Sequence, residues 1–115
     1  MPHDLKKSVM DVIKACRLIQ EFTAGHTLEM YNSDEMRRSA VERQFGIIGE
    51  AFNRIKKVDP LFDDVIPEFR KIIGMRNRVI HGYDIVDDEI IWVAVEKRVP
   101  ELLDKLQKWL DEQSK

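Results

Sequence analysis

Residues 41–55 read VERQFGIIGEAFNRI, and the spacing of their large apolar side chains decides the class of fold. Steps of four, three, four and three residues keep one apolar seam facing neighbouring helices, as in helical bundles. The members of this seam are Val41, Phe45, Ile48, Phe52 and Ile55. We expect a long helix that is capped by Asn32 or Ser33 and ends near Val58, before Asp59-Pro60.

Upstream of this helix, residues 5–22 carry a second apolar stripe. Its members recur at steps of three and four residues, the spacing of one buried helix face, and Gly25 is expected to end the helix. They are Leu5, Val9, Val12, Ile13, Cys16, Ile19 and Phe22. The sequence therefore predicts a first helix before the capping segment.

Downstream, residues 61–66 (LFDDVI) are too short to show a period and predict a helical turn or an ordered loop. Pro67 suits the first turn of a third helix, which Gly82 would end. Asp87 is expected to cap a fourth helical stretch, with a kink or break before Pro100. Two sets of apolar residues would face the core from these helices: Phe69, Ile72, Ile73, Val79 and Ile80, then Ile90, Ile91, Val93, Val95, Val99, Leu102, Leu103, Leu106 and Leu110.

The composition agrees with an all-α protein. Of 115 residues, 43% are hydrophobic and 35% charged, with only 5 Gly and 4 Pro, a balance typical of soluble helical chains. We predict a four- to five-helix up-and-down bundle that forms a single domain over residues 1–115. The core or a dimer interface is expected to take up Met10, Met30, Met36, Met75, Trp92 and Trp109.

Charge and cysteine content narrow the class of function. The net charge of −2 argues against a protein that coats nucleic acid by bulk electrostatics, so an RNA role needs a local basic site. Cys16 is alone, and His3 and His26 have no ligand partners nearby in sequence, so neither a metal site nor a cofactor is predicted. Residues 1–18 alternate charged and apolar side chains, and we expect no export signal and a cytoplasmic location.

The chemistry-bearing segment is GMRNRVIHGY, residues 74–83. Arg76 follows Ile72 by four residues and Ile73 by three, which places its charged group at the edge of the apolar stripe. A guanidinium buried without partners is costly, so it is either paired with a carboxylate or kept for an anionic ligand. Both alternatives are open from the sequence.

Asn77 and His81 lie four residues apart, on one helix face beside Arg76, and Tyr83 follows two residues later. Cleavage of a phosphodiester by its own 2′-hydroxyl needs a base, an acid and positive charge near the phosphorane. Histidine can serve as base or acid, and arginine holds phosphate oxygens without exchanging its proton. The pair by itself is weak evidence, because a salt bridge and a helix-end histidine have the same spacing.

A longer pattern around Arg76 and His81 favours a catalytic role for the pair. Arg76-x4-His81-x-Tyr83, preceded by Ile-Gly-Met at residues 73–75 and extended by Asn77, resembles the signature of HepT-like proteins in the HEPN superfamily. The likeness extends to Glu-Arg and Ile-Ile-Gly-Glu-Ala within residues 42–51, and to Ile-Ile-Trp and Val-Pro-Glu-Leu within residues 90–102. Phe69 departs from it, since relatives often carry tryptophan there, and we interpret this as a packing variation.

This resemblance implies a HEPN helical bundle that forms a homodimer, with two copies of the motif lining a shared cleft. It also implies the toxin of a type VII HEPN/MNT toxin–antitoxin system, a metal-independent endoribonuclease with Arg76 and His81 as catalytic residues. The implied partner is a minimal nucleotidyltransferase antitoxin of the MntA type, which AMPylates Tyr83. A nucleotide attached there would compete with RNA phosphate for Arg76.

Several alternatives stay open at this point. Asn77 could orient His81 or a phosphate, or simply bond to the backbone. Glu50 could pair with Arg76 or with an arginine across a dimer, or face water. A different class of function is a non-catalytic HEPN module that recruits a nucleotidyltransferase or holds a nucleotide. A purely structural adaptor is disfavoured, because polar groups on an apolar stripe need partners.

Overall fold

Every element in the described part of the chain is helical. The structure is a computed structural model that describes residues 3–81 and 88–115, with side chains described for residues 4–77 and 88–115. The all-α prediction is confirmed. The elements are α1 (His3–Thr23), α2 (Leu28–Asn32), α3 (Glu35–Val58), α4 (Phe62–Val65), α5 (Glu68–His81), α6 (Asp88–Val93), a π-helical turn (Ala94–Arg98) and α7 (Val99–Gln113).

The connection between α1 and α3 differs from the prediction. Gly25 follows α1 with a φ of 74°, a left-handed conformation that glycine adopts without strain. The short helix α2 comes next and was not predicted, and the N–H of Ser33 closes its C-terminal end. The cap of α3 is Asp34, whose carboxylate accepts the N–H of Arg37 at 3.0 Å. Asn32 and Ser33 cannot cap α3 because both belong to the end of α2.

Helices α1 and α3 pack antiparallel and supply the largest share of the core. At one end the Arg54 guanidinium lies 3.2 Å from a carboxylate oxygen of Asp11, and at the other Arg37 donates to the carbonyl of Phe22. Both predicted stripes face this contact, with Phe22 partly buried. Cys16 is fully buried between them, and burial raises the pKa of its thiol to about 12, so the thiol stays protonated.

Helices α3 and α5 form a second antiparallel pair. Residues 61–66 were predicted to form a helical turn or an ordered loop, and the structure has the helical turn α4 there, which reverses the chain direction between α3 and α5. The rings of Phe52 and Phe69 meet at 4.7 Å between centroids, near the start of α5. Because the helices run in opposite directions, α5 passes along α3 from the C-terminal half of α3 toward its N-terminal half.

The predicted break before Pro100 is confirmed as the π-helical turn. Proline lacks the N–H that a regular helix needs at that point, and the N–H of Val99 bonds to the carbonyl of Ala94, five residues back. Val93, predicted to face the core, is 44% exposed, so that prediction is wrong. Met10, Met30 and Met36 are 50%, 47% and 83% exposed and lie outside the core of the chain, so their place in a dimer interface stays a prediction. The predicted helix-terminating Gly82 and the predicted cap Asp87 lie outside the described residues. No helix within the described ranges is long and apolar enough to cross a membrane.

Tyr31 on α2 is fully buried, and its ring lies 5.3 Å from that of Trp92 on α6, centroid to centroid. Its hydroxyl is buried without a hydrogen-bond partner among the described residues. A hydroxyl withdrawn from water without a partner opposes folding, whereas the ring around it contributes by packing. The stability contribution of Tyr31 therefore comes from the ring.

We expect Tyr31→Phe to leave the free energy of unfolding unchanged or to raise it by about 1 kcal/mol, because it removes only the unpartnered hydroxyl. Tyr31→Ala, which also removes the ring, should lower it by about 3–5 kcal/mol. Urea unfolding followed by circular dichroism measures both. A clear loss of stability in the phenylalanine variant would show that the hydroxyl has a stabilising partner.

Candidate active site

The side chain of Arg76 crosses α3 at Gly49. A Cβ atom placed on Gly49 would lie 2.7 Å from Nε of Arg76, 2.8 Å from Cζ and 2.9 Å from Cδ. These separations are shorter than any side-chain carbon tolerates, so the space above Gly49 is filled by the arginine. The half-buried Arg76 is thus held between α5, which carries it, and the backbone of α3.

Arg76 has no carboxylate partner in the described part of the chain. None of the ion pairs between described side chains includes it. Its Nε is buried without a hydrogen-bond acceptor among those residues. Of the two alternatives that the sequence leaves open, the carboxylate pair is absent within the described residues. The other alternative, an anionic ligand, stays a prediction.

The remaining motif residues follow Arg76 along α5 and beyond it. Asn77 is the next residue of the helix and is exposed. His81 is the last residue of α5, so its backbone lies at the helix end, while its side chain is outside the described part. Tyr83 also lies outside the described residues. The structure therefore fixes the position of Arg76 in full and of His81 by its backbone alone.

Glu50, next to Gly49 on α3, pairs elsewhere. A carboxylate oxygen of Glu50 lies 3.7 Å from a terminal nitrogen of Arg43, and the two side chains are 56% and 66% exposed. Such an exposed pair contributes little to stability. The contact of Glu50 within the chain is with Arg43 rather than with Arg76, and a pairing across a dimer stays a prediction.

A second polar cluster lies on the N-terminal half of α3, toward which α5 runs. It comprises Arg38 and Glu42 of α3, Asp88 at the start of α6, and the hydroxyl of Tyr31. Nε of Arg38 lies 3.9 Å from a carboxylate oxygen of Asp88. Burial raises the pKa of the Glu42 carboxyl, the Asp88 carboxylate raises it further, and Arg38 acts in the opposite direction. Burial likewise raises the pKa of Tyr31.

Positive charge collects in a groove between α5 and the segment of α6 with the π-helical turn. The groove has a volume of about 470 Å³, and Arg70, Lys71 and Arg98 line it around an apolar floor that includes Met75 and Ala94. Acidic neighbours outside the lining temper this charge: Arg70 pairs with Asp63 and Asp64, and Arg98 with Glu101. Of the three cations, Lys71 is the one with no ion pair among the described residues.

A larger groove of about 680 Å³ lies between α1 and α7, away from the motif. Its charged lining residues are of both signs, Lys14 and Arg17 beside Asp11 and Asp111. A mixed lining does not select an anion. The volume of a groove therefore does not identify the functional site. The cations along α5 and the motif on that helix favour a site beside α5.

Two features of the site were not predicted. Gly49 lies beside the apolar stripe, four residues after Phe45 and three before Phe52, and a poor helix former in such a place is a signal of close approach by a neighbouring group. The cluster of Glu42, Arg38 and Asp88 had no such signal. It joins residues far apart in the chain, which come together because α6 packs on α2, where Trp92 meets Tyr31, and so brings Asp88 within reach of Arg38.

Comparison with known proteins identifies a family of similar chains. A family model described as "Ribonuclease HepT-like" matches residues 12–109. A probable ribonuclease HepT of Thermococcus cleftensis is 33% identical over 94% of this chain and 97% of its own length. A protein of Caldanaerobacter subterraneus named as a candidate RNase is 32% identical over 79% of this chain and 80% of its own length. Another, from Methanocaldococcus jannaschii, is 30% identical over 86% of this chain and 90% of its own length. No solved structure matches the chain.

The raised pKa of Glu42 predicts how stability depends on pH. A carboxyl whose folded-state pKa lies above its unfolded value makes the folded state bind the proton more tightly, so its contribution to stability is present at low pH. That contribution is lost as pH rises through the folded-state pKa. We therefore expect Glu42→Gln, which keeps the side chain neutral, to raise the melting temperature at neutral pH and to do so less at acidic pH.

Thermal unfolding of wild type and Glu42→Gln between about pH 4 and about pH 7.5 measures this difference. Glu50→Gln is the matched control, because it changes an exposed glutamate of the same helix and should shift the melting temperature little at any pH. A lower melting temperature of Glu42→Gln at neutral pH would mean that attraction to Arg38 outweighs burial and repulsion by Asp88.

Proposed function

The chain belongs to the HepT-like ribonuclease family, and from that premise we propose that it is the toxin of a type VII HEPN/MNT toxin–antitoxin system. In this proposal it is a metal-independent endoribonuclease of the cytoplasm that cleaves RNA with Arg76 and His81. One observation carries the proposal: a half-buried guanidinium, held against Gly49, that has no carboxylate partner among the described residues. A charge placed in that way is suited to an anion such as the phosphate of RNA.

The proposed reaction is attack of a ribose 2′-hydroxyl on the adjacent phosphorus. His81 removes the proton of the hydroxyl or, in its protonated form, donates one to the departing 5′-oxygen. Arg76 stabilises the negative charge that grows on the phosphate oxygens. The bond from phosphorus to the 5′-oxygen breaks, which leaves a 2′,3′-cyclic phosphate on one fragment and a 5′-hydroxyl on the other. Asn77, exposed beside Arg76, has a supporting role in orienting His81 or the phosphate.

The substrate class follows from charge. The groove lined by Arg70, Lys71 and Arg98 runs along α5, the helix that carries Arg76, and brings three cations together, although Arg70 and Arg98 are paired with neighbouring carboxylates. RNA on either side of the scissile phosphate would contact it. We propose that a homodimer places two copies of the motif around one cleft, which doubles the local positive charge available to RNA.

Regulation in this proposal acts at Tyr83. An MntA-type nucleotidyltransferase antitoxin transfers AMP from ATP to the phenol oxygen, with release of pyrophosphate. The added phosphate and adenosine would compete with RNA for the guanidinium of Arg76, so the modified toxin would be inactive without unfolding. The alternative is a non-catalytic module that binds a nucleotide or the nucleotidyltransferase, and the absence of RNA cleavage would favour it.

We expect Arg76→Ala and His81→Ala each to lower RNA cleavage strongly, by about 10²- to 10³-fold for the charge and about 10²- to 10⁴-fold for the acid–base group. The measurement is cleavage of labelled RNA by purified protein in excess chelator, with unmodified Tyr83 confirmed by intact mass. Arg43→Ala is the matched control, an exposed arginine of α3 whose loss should leave cleavage within about twofold. Full activity of a folded His81→Ala variant would refute the proposed mechanism.

A separate prediction concerns Tyr83. Tyr83→Phe removes the acceptor hydroxyl, so the variant should still cleave RNA but should gain no mass when incubated with ATP and an MntA-type antitoxin. The wild-type protein should gain the mass of one or more AMP groups and lose activity in parallel. Mass spectrometry and the cleavage assay on the same samples measure both. Equal modification of the phenylalanine variant would place the acceptor elsewhere.

A further inference from the structure

Gly49 occupies the middle of α3, where its backbone is helical and buried. The described glycine with a positive φ is Gly25, so the conformation of Gly49 does not itself require glycine. Alanine would form the helix better at such a position. Some other constraint therefore accounts for the absence of a side chain there.

The constraint is the tip of Arg76. Three atoms of its side chain lie 2.7–2.9 Å from where a Cβ of residue 49 would be. Gly46, one turn earlier on α3, and Gly74, two residues before Arg76 on α5, have no atom within 4 Å of the equivalent position. The close approach is thus specific to Gly49 among the glycines of these two helices in the described residues.

This contact also sets which nitrogens of Arg76 can meet a ligand. Nε is enclosed against α3 without an acceptor among the described residues, and the terminal nitrogens are not so enclosed. An arginine can bind two phosphate oxygens through Nε and one terminal nitrogen, or through the two terminal nitrogens. Enclosure of Nε leaves the second arrangement.

We propose that Gly49 is a positioning residue for the ribonuclease reaction. By lacking a side chain it lets the Arg76 guanidinium lie on α3, with Nε turned inward and the two terminal nitrogens presented to the scissile phosphate. This inference rests on the proposed function for its catalytic consequence. The contact between Gly49 and Arg76 can be tested without that function.

Gly49→Ala is the direct test of catalysis. The atoms that its Cβ would meet are the movable end of a flexible side chain, so the arginine shifts while the helices stay packed. Cleavage should fall by about 10²-fold, the scale of a misplacement of about 1 Å, and the loss should be mainly in kcat. Gly46→Ala should cleave within about twofold of wild type. Neither substitution should lower the melting temperature, because both replace a helical glycine with alanine.

A double-mutant cycle on the melting temperature tests the contact itself. In the wild-type background the alanine at position 49 meets Arg76, and in the Arg76→Ala background it meets free space. The gain in melting temperature from Gly49→Ala should therefore be larger in the Arg76→Ala background than in wild type. In the Arg76→Ala background, Gly49→Ala should cause no further loss of cleavage.

Equal gains in the two backgrounds would overturn the inference, because Gly49 would then not contact Arg76. Cleavage by Gly49→Ala at the wild-type rate would overturn it too, as would equal losses in Gly49→Ala and Gly46→Ala. If the wild-type protein cleaves no RNA, the proposed function fails, and so does the catalytic role of Gly49. The thermal cycle would still decide the contact, so the two failures are distinguishable.

Discussion

The site depends on one contact, the Arg76 side chain lying on the backbone of α3 at Gly49. A guanidinium is expensive to withdraw from water, and no carboxylate among the described residues compensates it. The arrangement is tolerable because only part of the group is enclosed, while its terminal nitrogens keep their capacity for an anion. The contact with α3 thus holds the guanidinium in place and leaves its terminal nitrogens free to bind an anion.

The rest of the bundle fixes the positions of α3 and α5 at this contact. Antiparallel packing of α1 on α3 makes α3 a rigid support, and the short α4 returns the chain so that Phe69 meets Phe52 near the start of α5. From that point α5 carries Arg76 to Gly49 and His81 onward to the helix end. Residues on rigid helices hold reacting groups more accurately than residues on loops, which suits a reaction that depends on the position of one charge.

Charged side chains form two separate groups on the protein, one mainly of cations and one mainly of carboxylates. Around the Arg70, Lys71 and Arg98 groove the chain offers positive charge to a polyanion. Near the N-terminal half of α3, Glu42 and Asp88 face each other close to a single described arginine, Arg38, and the pKa of Glu42 rises in consequence.

The long helices and the residues of the candidate chemistry could be predicted from the sequence. Apolar spacing at Val41, Phe45 and Ile48 identified α3, and Pro100 located the break before α7, because periodicity and the missing N–H of proline are local properties. The motif that begins at Arg76 was equally visible. The cap of α3 was misassigned and α2 was missed, since Asn32, Ser33 and Asp34 are all good capping residues and only the formed α2 decides among them.

Tertiary structure decided everything that depends on residues distant in the chain. It placed Arg76 on Gly49, with no ion pair to a carboxylate of the described residues, and it gathered Glu42, Arg38 and Asp88. Helical spacing gives the direction of a side chain from its own helix and carries no information about what the neighbouring helix presents at that height. That is why the sequence could identify the arginine and leave its neighbours open, whereas the crossing of α3 and α5 shows which described groups lie beside it.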